Sequence, residues 1–245
     1  MAVKHYQSIG ELSRSEDLAL QIARGLVGGH SLVNIFGYQG SIATTSICVW
    51  ENATAYVYPG SAVPMSLVSA SASDTAVTLL ITGLDANYNV LTESITLNGT
   101  TPVTTANNYL RINNVRTTAG NAAGAITVSN AGTTYAKILA GAGQTQMAQY
   151  TVPAGYTFYL TRVDVFSNNS GGSGNYCVYD VRAQSANGVI LSILQSPFSD
   201  RYEARRVVPF PYTEKTSLQW HANTNLSTAS VGVVIEGILV KNDET

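Results

Sequence analysis

Asp85, Asn87 and Asn89 alternate like the opening ligands of a calcium-binding loop. Such a loop needs Gly at its sixth position and Glu at its twelfth, whereas the chain has Val90 and Thr96 there. The triplet is therefore expected to form a hairpin turn in which Asp and Asn side chains bond the local backbone. His221 with Cys177 is the one nucleophile pair to consider, but nothing in their spacing brings them together, and His5, His30 and His221 are expected to be structural. The sequence contains no G-x-x-x-x-G-K-[ST] cradle, no H-E-x-x-H, no C-x-x-C and no G-x-S-x-G elbow, and Gly171 to Gly174 has no helix after it. Paired glycosidase carboxylates can be distant in sequence, yet the 15 acids are sparse, and Trp50 and Trp220 lie in different halves. The expectation is a chain with no enzyme activity, no cofactor and no metal.

Composition narrows the alternatives. Of 245 residues, 45% are hydrophobic and 11% charged, less than half the roughly 25% charged residues of ordinary soluble domains. Thirteen bases against fifteen acids leave a net charge of -2, which offers no excess to neutralise a phosphate backbone, so nucleic acid is not an expected partner. Polarity comes instead from 49 Ser and Thr residues with 21 Gly, the composition of strands and turns. No apolar run reaches 18 residues, and the first 17 lack an apolar signal core; neither a membrane span nor a secretory signal is expected. Cys48 and Cys177 set no disulfide framework and are read as two buried free thiols.

One helix is expected, at about 14–27. Ser13 to Glu16 fits a capping box, Leu18, Ile22 and Leu26 recur every fourth residue, and Gly28-Gly29 supplies a stop. So short a helix is marginal alone, and its apolar stripe has two possible uses: packing on its own domain, or docking as an arm on a neighbouring subunit. From His30 onward the pattern is of short strands rich in β-branched and aromatic residues, many alternating with Ser or Thr, separated by Pro59-Gly60, Asn98-Gly99 and similar turns. The crossovers of a parallel sheet are missing. The expected architecture is all-β: an N-terminal arm over 1–29, then two antiparallel, jelly-roll-like β-sandwich domains over 30–143 and 144–245, with a boundary near the flexible Ala140 to Gln144.

Charge is distributed unevenly. From Gly25 through Leu110 there is no Lys or Arg, whereas Asp200 to Arg206 is the densest charged stretch. Arg201, Tyr202, Arg205 and Arg206 are read as lying on a loop that serves either as an interface, since Arg and Tyr give large contact area, or as a solvated segment whose charges pair with each other. With Leu18, Ile22 and Leu26 they make up the candidate protein-contact residues.

Several segments carry a resemblance. Gly29 to Tyr38 (GHSLVNIFGY), Val49 to Pro59 (VWENATAYVYP), Ile81 to Asn89 (ITGLDANYN) and Glu93 to Val103 resemble virion structural proteins of tailed phages, especially those of aquatic bacteria and cyanobacteria. Ala148 to Tyr156 (AQYTVPAGY), Glu214 to Thr216 and Val234 to Val240 resemble the same group, so the likeness spans nearly the whole chain. It implies a particle component made in the host cytoplasm and located in the virion, binding other virion proteins as a homo-oligomer. The first expectation is a capsid decoration or cement protein that stabilises the major capsid lattice. The second is a tail, neck or baseplate adaptor. A third role, a glycan-binding module for host attachment, would use Trp220 or tyrosines if they cluster at the surface.

Overall fold

The computed structural model describes residues 16–52, 54–168, 174–226 and 228–242. Along them run helix α1 (Leu18–Ala23) and strands β1 (His30–Ile42), β2 (Ile47–Cys48), β3 (Val63–Ser69), β4 (Thr78–Leu84), β5 (Val90–Thr96), β6 (Val103–Tyr109), β7 (Arg111–Ala119) and β8 (Ile126–Asn130). They continue with β9 (Thr133–Ile138), β10 (Gln149–Thr151), β11 (Tyr156–Ser167), β12 (Cys177–Gln184), β13 (Ile190–Phe198), β14 (Arg201–Tyr212), β15 (Ser217–Thr224) and β16 (Ala229–Lys241). The fold is all-β and antiparallel. Period-two alternation produces it: Leu79 and Ile81 of β4 are buried between more exposed Thr78, Leu80 and Thr82, as are Ile235 and Leu239 along β16.

The strands form four sheets, in the orders β1-β16-β11-β14, β10-β15-β12-β13 with β2 added to β15, β6-β3-β8-β9, and β5-β4-β7. The first two sheets supply one core, in which Val165, Val233 and Ile235 meet Tyr179, Val181 and Trp220. The other two supply a second core of Met65, Leu67, Leu79, Ile81, Val115 and Val128, joined by Trp50 and Tyr56. Nine strands surround the first core and seven the second, in orders that differ from the eight-stranded jelly roll.

Membership of the bodies also differs from the expected division at 30–143 and 144–245. Strand β1 pairs with β16 from His30↔Val240 to Gln39↔Val231, and β2 pairs with β15 through Cys48↔His221. Residues 30–48 therefore build the sheets of the C-terminal body, and Ile35, Ile42 and Val49 lie in its core. The middle body is an insertion between β2 and β10. Its closure depends on Asp74, whose carboxylate accepts the Ser69 hydroxyl and the N–H groups of Ala123 (2.9 Å) and Gly124 (3.0 Å). Removing that acceptor strands two N–H donors. Asp74→Ala is expected to lower the thermal midpoint by several degrees, measured by circular dichroism; an unchanged midpoint would mean that the turn closes without it.

The helix is shorter than expected. Asp17, not Ser13, is its N-cap, with Oδ1 accepting the Ala19 N–H at 2.8 Å. At the other end the Gly25 N–H donates to Ile22 and the Leu26 N–H to Gln21, with Gly25 at φ 71°. This is a Schellman stop, and it ends the helix before Gly28-Gly29. Ser13 and the rest of residues 1–15 lie outside the described residues.

Candidate functional site

The segment read as an Arg-rich loop is a strand, β14, at the edge of its sheet. Alternation explains why: Arg201, Glu203 and Arg205 face outward, while Tyr202, Ala204 and Arg206 are partly covered. The outward charges meet Arg162 and Asp164 of β11 and Glu236 of β16. Arg162 Nε reaches Glu203 at 2.9 Å, Arg162 Nη1 reaches Glu236 at 2.9 Å, Arg201 Nη2 reaches Asp164 at 2.7 Å and Arg205 Nε reaches Glu203 at 2.6 Å. Hydrogen bonds from Arg201 hold the Asp164 carboxyl below the usual carboxylate range, and those from Arg205 do the same for Glu203. Tyr202 packs on Tyr179 with ring centroids 5.5 Å apart, and the Arg206 guanidinium lies 5.4 Å from the Phe210 centroid. The four predicted contact residues on β14 are thus all engaged within the chain.

Beyond its charged stretch β14 also exposes apolar residues. Its register against β11 jumps from Phe210 opposite Leu160 to Arg205 opposite Arg162, so residues 206–209 bulge out of the ladder. Val207 is 100% exposed and Val208 80%. The Val207-Val208 pair escaped the sequence reading because it sat beside the charges; Pro209 and Pro211, which cannot donate to a ladder, were the available signal of a bulged edge. On α1, Ile22 is buried and the helix lies against β1, whereas Leu18 and Leu20 are exposed, as is Leu26 just past the helix end. The predicted stripe is therefore split between packing in cis and facing outward.

The candidate chemical groups do not converge. His221 lies opposite Cys48 and Asp180 in register, while Cys177 lies opposite Thr224. Both cysteines are buried and in no disulfide, and burial pushes the Cys48 thiol up, away from the nucleophilic thiolate. Burial also pushes the His221 imidazole down to about 4, so it is neutral at physiological pH. Asp85 Oδ1 accepts the N–H groups of Asn87 (2.7 Å) and Asn89 (2.9 Å), making the turn that the sequence suggested. Among the described residues no three His, Cys, Asp or Glu side chains group as a metal site requires, and no helix is long and apolar enough to cross a membrane. Trp50 and Trp220 are both core residues, so neither offers a face to a sugar.

Two clefts lie where the bodies meet. One, of about 510 Å³, has mainly apolar walls that include Leu32, Leu84, Met147 and Tyr150. The other, of about 700 Å³, is lined by Tyr58, Tyr88, Arg111, Gln184 and Gln219. Arg111, at the start of β7, bridges the bodies: Nε donates to Ser217 Oγ at 3.2 Å, and Nη1 donates to the carbonyls of Pro59 (3.3 Å) and Leu110 (2.8 Å). Sequence reading missed this residue, although it is the base that ends the long stretch without one.

No protein-family model matches the chain, and no curated protein matches it. Among solved structures, a chain of the Gt strain of infectious bursal disease virus is similar at 9% identity, covering 95% of this chain and 80% of that one, with a TM-score of 0.18. A chain from T=1 particles derived from infectious bursal disease virus is similar at 9% identity, covering 89% and 75%, with a TM-score of 0.17. Likenesses at these TM-scores carry no argument about fold or function.

Proposed function

We propose that the chain is a non-enzymatic virion structural protein of the tailed-phage type. It is a capsid decoration or cement protein that grips the major capsid protein, with each body acting as a β-sandwich module. The reading is supported by the resemblance that runs along nearly the whole sequence and by a surface poor in charge, which packs against other proteins with little charge desolvation. The observation that carries it is the bulge of β14, where Val207 and Val208 stand in water while Arg201, Glu203 and Arg205 are paired in cis and Arg206 lies against the Phe210 ring. Exposed apolar residues flanked by satisfied polar ones fit a contact with another protein.

The test is binding to empty capsids. The double substitution Val207→Asp with Val208→Asp is expected to weaken co-sedimentation about tenfold or more, with the melting temperature unchanged because neither side chain is packed. Unchanged binding removes the bulge from the interface. A particle reconstruction gives the location: copies on the order of hundreds place the protein on the capsid, whereas about six or twelve place it at the neck or tail. Absence from purified particles overturns the reading.

A further inference from the structure

The cleft around Arg111 carries an inference independent of any particle. Arg111 is only 9% exposed, and among the described residues it has no carboxylate partner. A buried cation satisfied only by neutral oxygens retains an uncompensated charge. Its Nε and Nη1 are occupied, while Nη2 has no acceptor among the described residues. The guanidinium is held in place by aromatic rings, 4.2 Å from the Tyr58 centroid and 5.6 Å from that of Tyr88. Tyr88 has a φ of 68°, a left-handed conformation uncommon for a non-glycine residue, inside the turn clamped by Asp85. Two further polar groups line the same cleft without a partner among the described residues: the Tyr88 hydroxyl and the Gln184 amide.

We propose that this cleft binds a saccharide unit bearing a carboxylate, such as a uronic or sialic acid. The free edge of Arg111 would take the carboxylate in a charge-assisted hydrogen bond. Gln184, which can both donate and accept, and the Tyr88 hydroxyl match sugar hydroxyls. Tyrosine and the apolar wall of Leu110 and Ile190 cover the ring. A single cation also selects the charge: one carboxylate is balanced by Arg111 alone, whereas a phosphate dianion calls for more than the one base that lines the cleft.

The experiment is calorimetric titration of the full-length chain with glucuronate, galacturonate and N-acetylneuraminate, with glucose and acetate as controls. At least one acidic sugar is expected to bind saturably, and both controls about tenfold or more weaker. Gln184→Ala and Tyr88→Phe are each expected to weaken that binding several-fold without moving the melting temperature, and Arg111→Met to abolish it. Should Arg111→Met fail to fold, the other two variants decide. The proposal is overturned if no acidic sugar binds below about 10 mM, if acetate binds as well as the sugar acid, or if neither Gln184→Ala nor Tyr88→Phe changes the affinity. These outcomes do not depend on whether the protein is found in a virion.

Discussion

Replacing Gly37 with alanine is expected to destabilise the protein by about 3 kcal/mol, the upper part of the range for overpacking a close contact. A Cβ at this position of β1 would lie 2.4 Å from the Ala148 Cβ and 2.5 Å from the Ala148 backbone nitrogen. The neighbouring segment has nowhere to retreat. The Ala148 N–H donates to Val49 O at 2.8 Å, its carbonyl accepts from the Trp220 N–H at 3.0 Å, and the Tyr38 N–H donates to Gln146 O at 3.1 Å. Relief therefore means breaking backbone bonds on both sides of residue 148. For a chain of this size the loss corresponds to roughly 6–12 °C in melting temperature. Gly40, on the same strand, is the control: its nearest neighbour to a built Cβ is the Tyr38 ring at 3.7 Å, and Gly40→Ala is expected to stay within about 0.5 kcal/mol. Equal midpoints for the two variants would show that the 146–149 segment yields.

The second large effect concerns a buried acid. Glu51 Oε1 accepts the Gln146 N–H, while Oε2 is buried with no partner among the described residues. Burial pushes its carboxyl up to about 8, opposed in part by backbone hydrogen bonds, that from Gln146 first, and then by the charge of Lys137. The unfolded chain releases this proton near pH 4.3, but the folded protein keeps it until about pH 8. Stability attributable to Glu51 therefore falls as pH rises through that window, by on the order of 5 kcal/mol in all. His221 acts in the opposite sense. Its folded form stays neutral down to about pH 4 while the unfolded imidazole protonates below about 6.5, so its contribution is lost as pH falls. The two slopes oppose each other between about pH 4.5 and 6.5, and above that Glu51 acts alone. Glu51→Gln keeps an oxygen acceptor for Gln146 and removes the proton. It is expected to leave the urea midpoint nearly unchanged at pH 4.5 and to raise it clearly at pH 8.5. A variant less stable than wild type at pH 8.5 would show that the carboxylate form is the one the fold prefers.

Strand identity and antiparallel pairing were legible because period-two alternation is local: Leu79-x-Ile81 reads the same in sequence and in the sheet. The Asp85 turn was legible for the same reason, since its donors lie two and four residues from the acceptor. The partner of β1 was not. Nothing in residues 30–42 encodes that they pair with 229–241 rather than with the next strand, so the division into bodies placed them wrongly. The charged stretch on β14 was read as a loop because Asp, Glu and Pro are poor strand formers, although Arg201, Glu203 and Arg205 already stood at alternate positions. The helix boundary moved because Asp17 caps it and Gly25 can adopt a left-handed φ, both within a few residues of the expected ends. Arg111 was hidden differently: its partners Ser217 and Pro59 come from segments that only tertiary folding brings together.

Pairing of β1 with β16 also sets the order of events during synthesis. Ile35 lies opposite Ile235, so at about 5–20 residues per second the apolar side of β1 waits on the order of 10–40 s for its partner. The middle body has all its strands by β9 and can close during that interval. The nascent chain thus carries a finished module between two unfinished halves of another.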